Sequence, residues 1–249
     1  MTGGHRAWRT YARSAGTGAL RCSNVDQLHG LDVPSTLSDV CRPQRLGLVV
    51  YDMQEGILGQ IDDRAGVIDR VRQVVEIARD AGIRTFFTRH VTLPVELMGT
   101  AQLRMWRAWQ RVDRLEDVRS PFPPDAPQTQ IVAELAPTQR EAVFDKLTLS
   151  AFAGTPLELA LRGCDIDAVA VVGVATEIGI EPTVRHAGDL GFVPVVITDA
   201  CAAGDAAAGA RSIETLRFLG DSLLTDIAGF REAVAGASRG LPHRPQARA

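Results

Sequence analysis

Short, continuous runs of apolar residues recur along the chain and are separated by segments with helical periodicity. The runs predict buried strands and are LGLVVY (46–51), IRTFFT (83–88), EAVFDK (141–146), AVAVVG (168–173), VPVVIT (193–198) and SLLTDI (222–227). Val/Ile-rich strands that alternate with amphipathic helices are typical of a parallel sheet covered on both faces. The pattern therefore predicts an α/β fold with three layers, in which a doubly wound parallel sheet lies between two layers of helices.

Five segments between these strands have helical patterns or helix-start signals. Residues 64–82 place apolar side chains on one helical face and end at a glycine, at Val67, Val71, Val74, Val75, Ala78 and Gly82. Residues 97–114, 130–136 and 204–219 also favour helices. A capping box at Thr155, with Glu158 three residues later, predicts a helix start with Pro156 at the first helical position. Trp106 and Trp109 are three residues apart, so we expect them in the core or at a subunit interface.

The composition is that of an ordinary soluble domain. The 249 residues are 45% hydrophobic and carry a net charge of −3, which gives no general attraction to nucleic acid or membrane. Cys22, Cys41, Cys164 and Cys201 lack CxxC or zinc-ligand spacing and favour a reduced, cytoplasmic setting. Residues 1–40 are Arg-rich and acid-poor and predict a loosely ordered arm, although organelle transit peptides share that bias. Residues 41–236 are predicted to form one domain, followed by a tail at 237–249.

Ligands of doubly wound sheets bind beyond the carboxyl ends of the strands, so chemistry is expected there. Asp52 directly follows the first strand, where a carboxyl group partly removed from water suits acid–base work, although it could instead cap a loop amide. Lys146 ends the third strand. Beside Asp52 it would form an ion pair, whereas an isolated lysine at a strand end is usually solvated.

The turn GVATEIG (173–179) offers backbone amides that could hold an anion or oxyanion, or it could be a plain strand-to-helix connection. Further candidates for substrate contact near these strand ends are Gln54, Arg89, His90 and Glu177. Arg185 and His186 lie on a predicted helix and are expected at the surface. Cys201 has no neighbour in the sequence that would activate its thiol, so we expect it to pack.

Three segments together resemble the isochorismatase-like hydrolases, a superfamily that includes the cysteine amidohydrolases. They are LVVYDMQ, FDKLTLSAFAGTPLELAL and VVGVATEIGIEPTVRHAGDLGFVPVVITDAC. The resemblance covers about residues 44–230. It implies a strand order of 3-2-1-4-5-6, frequent oligomers, a catalytic aspartate at Asp52 and a catalytic lysine at Lys146. It also implies a cis peptide bond between Val174 and Ala175.

The seventh position of the GVATEIG turn holds the nucleophilic cysteine in the cysteine amidohydrolases, and here it is Gly179. The true isochorismatases, which cleave a vinyl ether, resemble this chain in having glycine there. The resemblance then implies that Gly179 leaves room for substrate or water, while the turn at Val174, Ala175 and Gly179 holds a polar group. Glu177 stands where isochorismatases have a histidine, and it would repel a dicarboxylate. TRHVTLP likewise departs from their Ala-Gln-Pro-like segment.

We therefore expect a hydrolase that acts on a small polar molecule through Asp52 and Lys146, without a cysteine nucleophile. Vinyl ether hydrolysis of the isochorismate type is one reading, and an amidase or other C–N hydrolase that uses water directly is the alternative. A catalytically inactive ligand-binding or scaffold protein is a third. We expect no cofactor and no metal, since the Asp-x-His motif of nicotinamidases is missing, and a homo-oligomer without nucleic acid or membrane partners.

Overall fold

A computed structural model of the chain describes residues 26–239. The predicted arm up to residue 25 and the part of the predicted tail from residue 240 lie outside the described residues, while residues 237–239 of that tail belong to the last helix. The strands are β1 (Asp26–Leu28), β2 (Leu31–Val33), β3 (Leu46–Tyr51), β4 (Arg84–His90), β5 (Ala142–Lys146), β6 (Ala168–Val174), β7 (Val193–Ala202) and β8 (Leu223–Thr225). The α-helices are α1 (Leu37–Val40), α2 (Glu55–Leu58), α3 (Arg64–Ala81), α4 (Thr100–Gln110), α5 (Leu157–Gly163), α6 (Glu181–Asp189), α7 (Ala206–Leu219) and α8 (Ile227–Arg239).

The main sheet contains the strands that the apolar runs predicted. Its order is β5-β4-β3-β6-β7-β8, and every neighbouring pair is parallel. Counted along the chain from β3, this is the order 3-2-1-4-5-6, so the predicted topology is confirmed. The reversal of winding falls between β3 and β6, which is where doubly wound sheets bind ligands.

Helices cover both faces of the sheet, as the three-layer prediction requires. One core cluster joins α1, α3 and α8 to the sheet, and a second joins α5, α6 and α7 to the opposite face. β3 is buried along its whole length, which explains its continuous apolar sequence. The long helix α3 ends at Gly82, whose φ of 72° is the left-handed conformation that favours glycine. Within residues 26–239, no helix is long and apolar enough to cross a bilayer.

Several local predictions need correction. α4 is shorter than the segment 97–114 because the chain turns at Arg111, which has a φ of 54°. The segment 130–136 forms no α-helix, and single 3₁₀ turns occupy Pro127–Thr129 and Ala133–Leu135. Residues 26–40, inside the predicted arm, contain the β1–β2 hairpin and α1.

The capping box predicted at Thr155 does not form. α5 begins at Leu157, one residue after Pro156, and Glu158 makes no reciprocal contact with the cap. The Thr155 hydroxyl donates to Ala151 O at 2.6 Å and accepts from Leu157 N at 3.2 Å. The hydroxyl therefore ties the helix start to the preceding loop and is not available for the capping box.

Candidate active site

The carboxyl ends of the central strands bring Asp52 and Lys146 together. Lys146 Nζ donates to Asp52 Oδ2 at 2.7 Å, and the two side chains are 4% (Asp52) and 0% (Lys146) exposed. The second carboxylate oxygen, Oδ1, accepts from the Thr88 hydroxyl at 2.7 Å. Burial lowers the pKa of Lys146, while the adjacent Asp52 charge opposes that shift. Both oxygens of a buried carboxylate are thus engaged by donors from neighbouring strands.

The strand register explains this convergence. β5 lies beside β4, with Lys146 paired to His90, and β4 lies beside β3. Asp52 then leaves β3 with a φ of 46°, so its side chain does not continue the alternation of the strand. Lys146 Nζ also donates to Thr148 O at 3.1 Å, which fixes the ammonium against the loop that follows β5.

The predicted cis peptide bond between Val174 and Ala175 is confirmed. A π-helical turn follows at Thr176–Ile180, and three of its amides converge on one carbonyl oxygen. Ile178 N, Gly179 N and Ile180 N lie 3.3, 3.0 and 3.2 Å from Ala175 O. The expectation that the Gly179 amide holds a substrate oxygen is therefore wrong, because that N–H is already donated within the turn.

The expectation that Gly179 leaves room for substrate or water is also wrong. A Cβ built on Gly179 would overlap the hydroxyl oxygen of Tyr51 and the adjacent ring carbons Cζ and Cε1. Tyr51 is 2% exposed, and its hydroxyl donates to Leu149 O. The end of the Tyr51 phenol thus occupies the volume that a side chain on residue 179 would need.

A cavity of about 470 Å³ opens onto this group of residues. Asp52 and Tyr51 line it, as do Val174 and Ala175 of the turn, whereas Lys146 is not part of the lining. The remaining wall is mainly aromatic and aliphatic, from Ile57, Ile61, Trp106, Trp109, Phe122, Leu149 and Ile178. The carboxylate is thus the part of the ion pair that a ligand in the cavity would meet.

His90 belongs to this wall. Its ring centroid lies 5.9 Å from that of Trp106 and 6.1 Å from that of Phe122. Burial, assisted by the positive charge of Lys146, lowers the pKa of His90 to about 4. The imidazole is therefore neutral near pH 7. Trp109, predicted as a core or interface residue, lines the cavity and is 47% exposed.

Three predicted substrate contacts lie outside the cavity lining. Gln54 is fully buried, and its amide binds backbone atoms of His90 and Thr129. Arg89 points to the other side of β4 from Thr88 and pairs with Asp145 at 2.7 Å. These side chains support the structure around the site, because their polar groups are already bonded within the protein.

Glu177 is the third. Its Oε1 accepts from Gly204 N at 2.8 Å and from Asp205 N at 2.9 Å, so it fastens the loop before α7. The carboxylate is directed to that loop and does not line the cavity, so a ligand there would not contact it directly.

The other reactive side chains are also placed. Cys201 packs in the second core cluster, its thiol donates to Val171 O at 3.7 Å, and burial raises its pKa to about 12. His186 Nδ1 lies 2.8 Å from Ser150 Oγ, and Arg185 pairs with Glu181 on α6. Among residues 26–239, no three His, Cys, Asp or Glu side chains form a group suited to a metal ion.

Sequence reasoning did not identify Tyr51 or Phe122 as site residues. Tyr51 carries one available signal, since it is the aromatic residue in the aliphatic run LGLVVY and directly precedes Asp52. Phe122 lies in a proline-rich loop whose path the sequence pattern does not predict.

Comparisons with known proteins agree with this architecture. Residues 47–226 match the sequence profile of the isochorismatase domain. The isochorismatase family protein YecD of Escherichia coli O157:H7 is 34% identical over 171 residues, which cover 64% of this chain and 80% of YecD. The ureidoacrylate amidohydrolase RutB of Methylorubrum extorquens is 30% identical, covering 76% of this chain and 82% of RutB.

A solved structure shares the fold. The cysteine hydrolase from Pseudomonas syringae pv. phaseolicola superimposes with a TM-score of 0.67 at 24% sequence identity, over 78% of this chain and 94% of that chain. The sequence profile covers most of the chain, including the segments that carry Asp52, Lys146 and the 173–179 turn. The chain therefore belongs to the isochorismatase family of hydrolases.

Proposed function

We propose that the protein hydrolyses a small polar substrate through Asp52 and Lys146, without a cysteine nucleophile. The observation that carries this proposal is the buried ion pair, 2.7 Å between Nζ and Oδ2, with its carboxylate at the cavity. The phenol of Tyr51 beside Gly179 supports it, because a nucleophilic side chain on residue 179 would have no space.

Hydrolysis of a C–N bond, by direct attack of water on the adjacent carbonyl carbon, fits the contacts of Asp52 best. Its two oxygens accept hydrogen bonds from Lys146 and Thr88, so the carboxylate is held as an acceptor. In that role Asp52 takes a proton from water, the hydroxide attacks the carbonyl carbon, the C–N bond breaks, and the proton passes to the leaving nitrogen. The ammonium of Lys146 balances the charge throughout.

The developing oxyanion needs a hydrogen-bond donor that does not already donate to another group of the protein. The Gly179 amide is directed to Ala175 O, so it does not serve. Ala175 lines the cavity at the cis bond, and its backbone amide is the candidate donor that we assign to this role.

The cavity wall favours a small polar substrate that also carries a flat or apolar part and that is neutral or has a single negative charge. His90, Trp106, Trp109 and Phe122 supply the aromatic surface, and the imidazole is neutral. Among the described residues that line the cavity, the permanently charged cation is Arg111, at its exposed rim. A compact dicarboxylate would therefore lack a second cationic partner.

Vinyl ether hydrolysis is the second candidate. It is favoured by the absence of a side chain at Gly179, a feature shared with the true isochorismatases that this chain resembles. It would require Asp52 to give a proton to carbon, which is the opposite of the acceptor role that its two hydrogen bonds support.

A substrate panel tests these candidates. Ureido compounds, aromatic carboxamides and isochorismate are incubated with the protein and with Asp52→Asn, while ammonia and pyruvate are measured. We expect ammonia release from an uncharged or singly charged compound and a loss of at least ~100-fold in Asp52→Asn. Asp145→Asn is the matched control, because Asp145 is a strand-end carboxylate that is paired with Arg89 outside the cavity.

Other outcomes separate the alternatives. Pyruvate release from isochorismate that depends on Asp52 would select the vinyl ether reaction. If a compound raises the melting temperature and no compound in the panel is consumed, the result would contradict catalysis and favour a ligand-binding protein. Turnover that survives in Asp52→Asn would remove the acid–base role of the pair.

We also propose a cytoplasmic homo-oligomer, from the use of cysteine and from the resemblance to the superfamily. Light scattering on the purified chain tests the oligomer, and a molar mass equal to the monomer's 26.8 kDa would contradict it.

A further inference from the structure

Tyr51 and the turn that carries Gly179 belong to adjacent strands. Tyr51 is the last residue of β3 and pairs with Gly173 of β6, the strand that leads into the turn. From there its ring reaches under the turn, so that the phenol oxygen takes the space of a side chain on Gly179. Residue 51 thus supplies the side-chain atoms at a position where residue 179 has none.

We propose that Tyr51 occupies the volume in which a nucleophilic side chain on residue 179 would lie, and that it positions the Asp52–Lys146 pair. Its ring contacts the Lys146 ammonium, and its hydroxyl holds the loop after β5. The positioning part rests on the proposed function, because it describes how the same ion pair is kept in place. The volume part stands on the packing around Gly179 alone.

The ring contributes one of the three contacts of the Lys146 ammonium. Nζ lies 4.3 Å from the ring centroid, 2.7 Å from Asp52 Oδ2 and 3.1 Å from Thr148 O. An aromatic face attracts a cation most strongly when both are removed from water, and both groups here are buried. The ring therefore favours the charged form of Lys146 against the effect of burial.

The hydroxyl contributes through the loop. It donates to Leu149 O, next to the Thr148 carbonyl that binds the ammonium. The loop is further fixed by Ser150 Oγ, 2.8 Å from His186 Nδ1, and by Ala151 N, which donates to Thr183 Oγ1 at 3.0 Å. Tyr51 thus holds the ammonium directly and also holds the loop that accepts a hydrogen bond from it.

The phenol is neutral in this place. Burial and the neighbouring Asp52 charge raise the pKa of Tyr51 well above its ordinary value. A protonated hydroxyl can donate to Leu149 O, as the structure shows, and it adds no second negative charge beside Asp52.

A double-mutant cycle tests the shared volume without any substrate. We expect Gly179→Cys to lower the melting temperature by roughly 4–10 °C, because the thiol and the phenol compete for one space. In Tyr51→Leu/Gly179→Cys the added cost disappears, and iodoacetamide followed by peptide mass mapping finds the introduced thiol alkylated. If Gly179→Cys lowered the melting temperature equally with Tyr51 and with Leu at position 51, the proposal that the two residues share one volume would be overturned.

Gly179→Ala tests the same shared volume if Tyr51→Leu does not fold. An alanine that is accepted without loss of melting temperature would show that the phenol does not fill the space. Phe87→Leu, a ring truncation in the opposite core cluster, reports the general cost of such a change.

The pH dependence of kcat/KM tests the positioning role on the best substrate of the panel. Tyr51→Phe keeps the ring, so the basic limb stays in place while kcat falls roughly 2- to 10-fold with the loss of one hydrogen bond. Tyr51→Leu removes the ring, so Lys146 loses its proton more easily and the basic limb moves to lower pH by roughly one unit. An unmoved limb in Tyr51→Leu would overturn the positioning role.

The two proposals fail in different ways. If no compound in the panel is hydrolysed, the proposed function fails, while the double-mutant cycle still decides the shared volume. If Asp52-dependent hydrolysis is found and the limb does not move, the function stands and Tyr51 is merely a packing residue.

Discussion

The side-chain amide of Gln54 binds both the backbone N–H and the backbone carbonyl of His90. Its Oε1 accepts from His90 N at 2.7 Å, and its Nε2 donates to His90 O at 3.0 Å. The same Nε2 donates to Thr129 O at 2.8 Å. One buried amide therefore joins the end of β4 to the loop that covers it, and this fixes where His90 stands in the cavity.

Replacing this amide should be costly. Gln54→Ala leaves the backbone groups of His90 and Thr129 buried without partners, so we expect the free energy of unfolding to fall by about 2–4 kcal/mol. Urea denaturation measures the change. Gln73→Ala, on the exposed face of α3, is the control and should stay within about 0.5 kcal/mol of the parent protein. An equal effect of both variants would contradict the bridging role of Gln54.

The buried ion pair should show strong coupling. Lys146→Met leaves the Asp52 carboxylate buried with Thr88 as its remaining side-chain donor, and we expect a loss of about 3–5 kcal/mol in unfolding free energy. Adding Asp52→Asn to that variant should recover part of the loss. The exposed pair of Arg72 with Glu76 gives the comparison, since Arg72→Met should cost less than about 1 kcal/mol. Additive losses at Asp52 and Lys146 would contradict the coupling.

Gly173 should not tolerate a side chain. Its φ is 125°, and a Cβ there would overlap Tyr51 O and lie 2.9 Å from the Tyr51 carbonyl carbon. We expect Gly173→Ala to lower the unfolding free energy by more than about 3 kcal/mol, since backbone atoms cannot move aside as a side chain can. Gly236→Ala on α8, where a Cβ meets open space, should instead stabilise by about 0.5–1 kcal/mol.

Stability should fall in mild acid because of His90. Burial lowers its pKa from 6.5 to about 4 in the folded protein, so between these values the unfolded chain binds more protons than the folded one. The contribution is complete above pH 6.5 and is lost as the pH falls to about 4, amounting to about 3 kcal/mol. We expect His90→Phe to flatten this part of the curve in urea denaturations between pH 4 and pH 7.5. A curve as steep as that of the parent would place the effect on other groups.

Ligand binding should be visible in tryptophan fluorescence. Trp106 and Trp109 line the cavity, with ring centroids 5.2 Å apart, so an occupant changes the surroundings of both.

We expect Trp109→Ala to raise KM by roughly 5- to 30-fold with kcat little changed, because it removes binding surface away from Asp52. Leu159→Ala, exposed on α5, is the control. A fall in kcat alone would place Trp109 nearer to the chemistry.

The sheet was predictable because its signals are local. β3 and β6 are buried on both faces and so are apolar at every position, and Gly82 ends α3 for a reason that lies in one residue's backbone. The meeting of Asp52 with Lys146 followed from the order of the strands, once the resemblance supplied that order.

The surroundings of the pair were not predictable from local signals. Arg89 and Glu177 looked like substrate contacts because they lie near strand ends. Arg89 instead pairs with Asp145, and Glu177 binds the loop before α7. Both partners are brought close by the tertiary fold. The phenol of Tyr51 reaches Gly179 across more than a hundred positions of sequence, through the pairing of β3 with β6. Such contacts depend on the whole fold.

The sharing of one volume by Tyr51 and Gly179 also constrains how this lineage can evolve. A single codon change that introduces cysteine at position 179 would meet an occupied space, so we expect it to cost stability before any thiol chemistry could be useful. The order of substitutions matters, and residue 51 has to become smaller first. In this chain, whether a cysteine at position 179 can be acquired therefore depends on the residue at position 51.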